Sequence, residues 1–338
     1  MPTPPLESYP PLPLLITGVA GVAGYNALRY FRERFGDEVI GIRQFNNWPL
    51  RGAGIEACNA EDRDGLARLF DRYQFAAVLN CAGNCALKSC ELDPELARRT
   101  NVASIENLLD VIDSKATRLV HLSIDLVFSG AGTGRYAESC PTDPVTVYGK
   151  TMEEAENTIL DASPRSCILR ISLPMGVSFN GHAGAIDWIQ SRFKKLKPAT
   201  LYYDEIRTPT YTDCLNRVVG TVLSSELRGV FHAGGPRQLS LYQIAQIVNR
   251  VGGYNPDHLM GCPRLDAGPI PPRAGNVSLD SSKLAGSLGI VPFDPWPAMD
   301  EYVPTHHDWH HERTSHEPGS PELLSTVLCR NPLRAARP

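Results

Sequence analysis

The chain has 338 residues, long enough for one large α/β domain or two smaller ones with a sizeable buried core. It is 42% hydrophobic and 21% charged with a formal charge of −4, which gives no electrostatic reason to expect nucleic acid or an anionic membrane as partner. No apolar run approaches the ~20 residues that a membrane span needs.

Residues 1–11 are proline-rich, lack the basic-then-apolar order of a secretory signal, and read as a disordered arm. Leu14-Leu15-Ile16-Thr17 is a short continuous apolar run, as in a strand covered on both faces. Gly18 ends it, and Val22 to Phe35 carries a helical pattern. Glu38 to Ile42 reads as the second strand. Asp62 looks like the cap of a helix running to about Tyr73, and Ala77 to Asn80 is the next strand. A helix from about Pro94 to Asp113 precedes the strand Arg118 to Leu122. A helix follows Val147, then the strand Cys167 to Ile171. This alternation predicts an α/β fold, a doubly wound parallel sheet with helices on both faces. Beyond Pro174 the rhythm loosens: Ala185 to Lys195 and Leu241 to Val251 read as helices, and Gly229 to Ala233 as a strand. Prolines and glycines between Cys262 and Ala274 indicate loops.

Nine cysteines, several in segments that read as buried, fit free thiols in a reducing cytoplasm better than a secreted disulfide scaffold. Cys81, Cys85 and Cys90 contain no CxxC pair and read as small residues near a strand end. Residues 301–338 are rich in His, Pro and Arg and read as a solvated tail. Within it His306, His307, His310 and His311 form two i,i+4 pairs that a helix could aim at a metal, but no further motif supports one, and no metal is assigned.

Gly18-x-x-Gly21-x-x-Gly24 follows a predicted strand and opens a predicted helix, the context of a Rossmann-type dinucleotide loop. The first glycine permits the tight turn, the second lets backbone approach a pyrophosphate, and the third allows close helix–sheet packing. Where NAD-binding chains place an acid for the ribose 2′-hydroxyl, this one has Arg43, which suits a 2′-phosphate. NADP is therefore favoured, with NAD left open.

Further segments resemble the extended short-chain dehydrogenase/reductase superfamily, in particular its dTDP-4-dehydrorhamnose reductase-like branch, to which the regulatory β subunit of methionine adenosyltransferase is also similar. They are Asn80-Cys81-Ala82-Gly83, Cys90-Glu91-x-x-Pro94 with Asn101, Ser123-Ile124-Asp125-Leu126-Val127-Phe128, Val147-Tyr148-Gly149-Lys150, Arg170-Ile171-Ser172 and Arg207-Thr208-Pro209-Thr210. Gly229 to Gly234 and Arg273-x-x-Asn276-x-x-Leu279-Asp280 complete the likeness, which spans about residues 12 to 290. It implies a Rossmann domain of 12–173 plus about 209–233, with a smaller, irregular C-terminal substrate-binding part of about 174–208 and 234–300. The implied cofactor contacts are Gly18, Gly21, Val22, Ala23, Gly24, Arg43, Asn59, Cys81, Ala82, Gly83, Tyr148 and Leu173.

Reductases of this superfamily use a Ser or Thr, a Tyr, and a Lys four residues after the Tyr. The Lys stabilises the phenolate and so makes the phenol a better acid. Here the Tyr is Tyr148, but Met152 stands at the Lys position and Ile124 at the Ser/Thr position; Ser123 would point to the opposite face of its strand. Losing such a charge partner costs about 2–4 kcal/mol of barrier. Asp125 reads as a cap of local backbone, Glu138 as a surface carboxylate and His121 as a packed strand histidine. The expectation is a cytoplasmic NAD(P)-dependent oxidoreductase acting on a nucleotide-sugar-like or other small carbonyl or hydroxyl compound. The alternatives are a non-catalytic cofactor-binding subunit of a partner enzyme, or a non-redox enzyme using bound NAD(P). Homo-oligomer formation is left open.

Overall fold

The computed structural model describes residues 9–180, 184–313 and 319–329. At its centre lie β1 (Leu14–Ile16), β2 (Val39–Arg43), β3 (Ile55–Ala57), β4 (Ala77–Asn80), β5 (Arg118–Ile124), β6 (Cys167–Ile171) and a late strand, Gly229–Ala233. These form one parallel sheet whose spatial order is late strand, β6, β5, β4, β1, β2, β3. The winding reverses between β1 and β4. In open α/β sheets the crevice beyond such a reversal is where ligands bind.

Both faces are covered, which explains why the strands read as unbroken apolar runs. Leu14 and Ile16 face a cluster containing Phe31 of α1 (Val22–Phe35). Leu15, Ile40, Val78 and Ile168 face the other side, against Leu66 of α2 (Arg63–Tyr73). The N-terminus of α2 is set by Asp62, whose carboxylate accepts from the Gly65 N–H at 2.9 Å.

After β4 come α3 (Leu87–Leu92), α4 (Pro94–Arg98), a π-turn over Arg99–Ala103 and α5 (Ser104–Val111). The single helix read from the sequence over 94–113 is therefore interrupted in its middle. α6 (Val147–Ala162) starts at Thr146, which caps the Gly149 N–H at 2.9 Å. Beyond β6 the chain forms α7 (Ala185–Lys194), α8 (Thr212–Leu223), α9 (Leu241–Val251) and α10 (Ser282–Leu288). Three two-stranded ribbons join these: Pro174–Met175 with Thr210–Tyr211, Ile206–Arg207 with Leu239–Ser240, and Ala199–Tyr202 with Leu259–Cys262.

The reading of residues 301–338 as a solvated tail is corrected for its described part. Trp309 and, on α11 (Pro321–Leu328), Leu324 and Val327 are buried in the main core. The Tyr211 hydroxyl donates to the Val327 carbonyl at 3.1 Å, and Arg250 lies over the Trp309 ring at 4.1 Å. Apolar residues at helical spacing hold this segment down despite its polar composition. Of the N-terminal arm only residues from Tyr9 onward are described. No helix among the described residues is long and apolar enough to cross a membrane.

Candidate functional site

The glycine loop sits where β1 and β4 diverge. Gly18 has φ +65°, and a Cβ there would lie 2.3 Å from the Cys81 carbonyl oxygen. A Cβ on Gly24 would lie 2.4 Å from the Gly18 carbonyl oxygen, so that glycine is fixed by helix–strand packing. Gly21 differs: its φ is −79°, it caps α1, and a Cβ would meet only the Gly18 oxygen at 3.5 Å. Among the described residues nothing requires glycine there. Val22 is buried and Ala23 half-buried in the first turn of α1. The N–H groups of Cys81 and Ala82 both donate to Thr17 Oγ1 at 3.1 Å, which draws the loop after β4 against the glycine loop.

Arg43 ends β2 half-buried. Its Nη1 donates to the Gln44 carbonyl at 2.9 Å, and its Nε is buried with no hydrogen-bond partner. Asn59 is used locally, its Oδ1 accepting from the Phe45 N–H at 2.9 Å. Leu173 follows β6, and its carbonyl accepts from the Thr210 N–H at 3.0 Å. Gly83 lies against Asn101, whose Oδ1 would be 3.2 Å from an added Cβ.

At the end of β5 the Ile124 side chain is buried (9% exposed), and on α6 Met152 is 3% exposed. Neither can hold or move a proton. Tyr148 is 8% exposed, and no hydrogen bond reaches its hydroxyl among the described residues. Burial, then the nearby Cys85 and Asp125, push its phenol well above its ordinary value of 10. Ser123 belongs to a different network: it hydrogen-bonds Glu156, which pairs with Arg170 at 2.6 Å, all three buried. His121 is buried, within 2.9 Å of Asn80 Nδ2, and burial lowers its pKa to about 4.

Two readings need correction. Asp125 is not chiefly a backbone cap: fully buried, it accepts from Arg207 Nε at 2.7 Å, from Arg207 Nη2 and from the Ser172 hydroxyl at 2.6 Å. Such a fork pair is what makes burial of a carboxylate tolerable. Glu138 is not a free surface carboxylate, since it accepts from the His232 N–H at 2.7 Å. The tail histidines do not share a helix face. His310 is buried against Gln246, His307 lies against the Tyr203 hydroxyl and stacks on Tyr242, and His306 pairs with Glu312.

The model of the RmlD substrate binding domain family matches residues 13–305. The chain belongs to this family. It is 25% identical over 276 residues to a probable low-salt glycan biosynthesis reductase of Haloferax volcanii, covering 81% of this chain and 91% of the relative. It is 27% identical over 290 residues to the methionine adenosyltransferase 2 subunit beta of Xenopus laevis, covering 82% of each. Among solved structures, the fold is shared with a dTDP-4-dehydrorhamnose reductase of Bacillus anthracis in complex with NADP, at TM-score 0.70 and 18% identity, over 84% of this chain and 95% of that one.

Within this RmlD-family chain, sequence reasoning missed two features that shape the site. The Asp125–Arg207 pair joins residues 82 positions apart, and nothing local signals it. Asn101, quoted only as part of a motif, lies in the π-turn and ties two elements together. Its Oδ1 accepts from the Asn84 N–H at 2.6 Å, while its Nδ2 reaches Thr151 Oγ1 at 2.8 Å. A π-turn shifts the helical register locally and commonly marks a functional site.

Proposed function

We propose that this chain binds a nicotinamide dinucleotide, NADP in preference to NAD, at the carboxyl edge of β1, β2 and β4. We further propose that it acts on a nucleotide-sugar-like or other small carbonyl or hydroxyl compound. The single observation that carries the dinucleotide is Gly21. Gly18 and Gly24 are accounted for by contacts within the protein, but an open backbone at residue 21 is useful only if something outside the protein must come close. The adjacent N-terminus of α1 adds a favourable field for a pyrophosphate. NADP is supported by Arg43, which makes no ion pair among the described residues and has its Nε unmet.

When bound, the nicotinamide supplies or accepts hydride. The residue left to hold the matching proton is Tyr148, with no cation four positions on and no hydroxyl at residue 124. A phenol pushed up by burial is a poor acid at neutral pH, so reduction of an ordinary carbonyl would be slow. This favours a second reading, in which the chain is a cofactor-binding subunit of a partner enzyme, as the name of the Xenopus relative suggests for that protein.

One experiment separates the two. NADPH consumption with dTDP-4-keto-6-deoxysugar is measured for the wild type and for the double variant Ile124→Thr, Met152→Lys. A silent wild type with turnover gained in the double variant supports an eroded reductase site. Robust wild-type turnover removes the subunit reading, and absence of NADPH binding removes both.

A further inference from the structure

The two residues after β4, Cys81 and Ala82, lie against the glycine loop, so close that a Cβ on Gly18 would meet the Cys81 carbonyl oxygen at 2.3 Å. Their N–H groups both donate to Thr17 Oγ1 at 3.1 Å, which commits the two lone pairs of that oxygen. The Thr17 hydroxyl proton must then go to an acceptor, and it goes to Asn80 Oδ1. With its oxygen turned to Thr17, the Asn80 side chain turns its Nδ2 donor to His121 Nδ1, 2.9 Å away. That ring nitrogen has to accept, so the neutral imidazole carries its proton on Nε2. Every direction in this relay follows from the two backbone N–H groups at its start.

Thr17, Asn80 and His121 are each at most 2% exposed. Asn80 and His121 stand opposite one another in the β4–β5 register, so the relay crosses the sheet from β5 to the end of β1. The second observation is the other ring nitrogen. His121 Nε2 is buried with no hydrogen-bond partner among the described residues. A leucine would fill this place without an orphaned N–H. What histidine supplies that an apolar residue cannot is the Nδ1 acceptor. Burial holds the ring neutral down to about pH 4, which keeps that acceptor available.

We propose that His121 is a positioning residue for the dinucleotide site: its Nδ1, acting through Asn80 and Thr17, fixes Cys81 and Ala82 against the glycine loop. The inference rests on the dinucleotide reading above and assigns a further residue to that same site. Without the acceptor, the Asn80 amide is free to turn over. It would then aim a donor at Thr17 Oγ1, in competition with the Cys81 and Ala82 N–H groups.

The experiment measures amide hydrogen exchange and NADPH binding on the full chain for wild type, His121→Asn and His121→Leu. Asparagine can place an oxygen acceptor where Nδ1 was, whereas leucine fills the space without one. In His121→Leu the Cys81 and Ala82 amides should exchange at least tenfold faster, after normalisation to the amides of α9, which report any global loss of stability. NADPH should bind that variant at least fivefold more weakly, and His121→Asn should restore both quantities to within twofold of wild type. In wild-type protein the imidazole 15N spectrum should show His121 as the Nε2–H tautomer, a readout that needs no variant to fold. The Nδ1–H tautomer, equal losses in the two variants, loop amides that merely follow α9, or unchanged NADPH affinity beside loosened amides would overturn the proposal. If the wild type binds no NADPH, the function reading fails, and the exchange and tautomer arms decide the relay by themselves.

Discussion

A Cβ at residue 24 would press on the Gly18 carbonyl, whereas one at residue 21 would find ordinary contact, so the glycines answer to different demands. Gly24→Ala should destabilise the fold by about 1–3 kcal/mol through overpacking, read as a lower urea midpoint. Arg43→Ala should weaken NADPH binding at least tenfold, on the order of the 1.5–3 kcal/mol of a charge-assisted hydrogen bond, and leave NADH within twofold. Equal losses for both dinucleotides would contradict the NADP preference. The tight turn at Gly18 and the close helix–strand packing at Gly24 were legible because both follow from a local pattern. Asp125 was misread because its partner, Arg207, arrives through a ribbon that only the folded chain brings near. For the same reason the upward push on the Tyr148 phenol, from burial first and then from Cys85 and Asp125, could not be read from spacing.

Elements with full apolar runs or stripes were legible nearly to the residue: α1, α2, β4, β6 and α9 lie where periodicity puts them, and the start of α2 where its Asp62 cap does. Those that were not legible lacked such signals. β3 has three residues, all half-buried, and α3 is six residues without a side-chain cap. The packing of α11 was hidden by the composition around it, although Leu324 is 2% exposed. Leu324→Ala should cost about 2–5 kcal/mol, as for other buried leucines. A change below 0.5 kcal/mol in urea unfolding would mean that this helix does not dock in solution.

Across the whole molecule, three buried histidines give stability a direction with pH. Burial lowers the pKa of His121, His232 and His310 from 6.5 to about 4. The unfolded chain therefore binds protons that the folded chain refuses. The stability contributed is complete above about pH 6.5 and is lost as pH falls towards 4. For His121 the loss is on the order of 3 kcal/mol at most. Urea midpoints should fall between pH 7 and pH 4.5, and less steeply in His121→Asn; a flat profile would contradict this.

The molecule carries a glycine loop on a sheet whose winding reverses where the loop sits, with Ile124 and Met152 buried at the positions where the proposed function would want proton-transfer groups. The most direct test is a fluorescence titration of NADPH into wild type and Gly21→Ser. Serine is a good helix cap, so the variant should melt at or above the wild-type temperature. Wild type should bind saturably, and binding should weaken at least tenfold in Gly21→Ser. No binding by the wild type, or equal binding by both proteins, would contradict it.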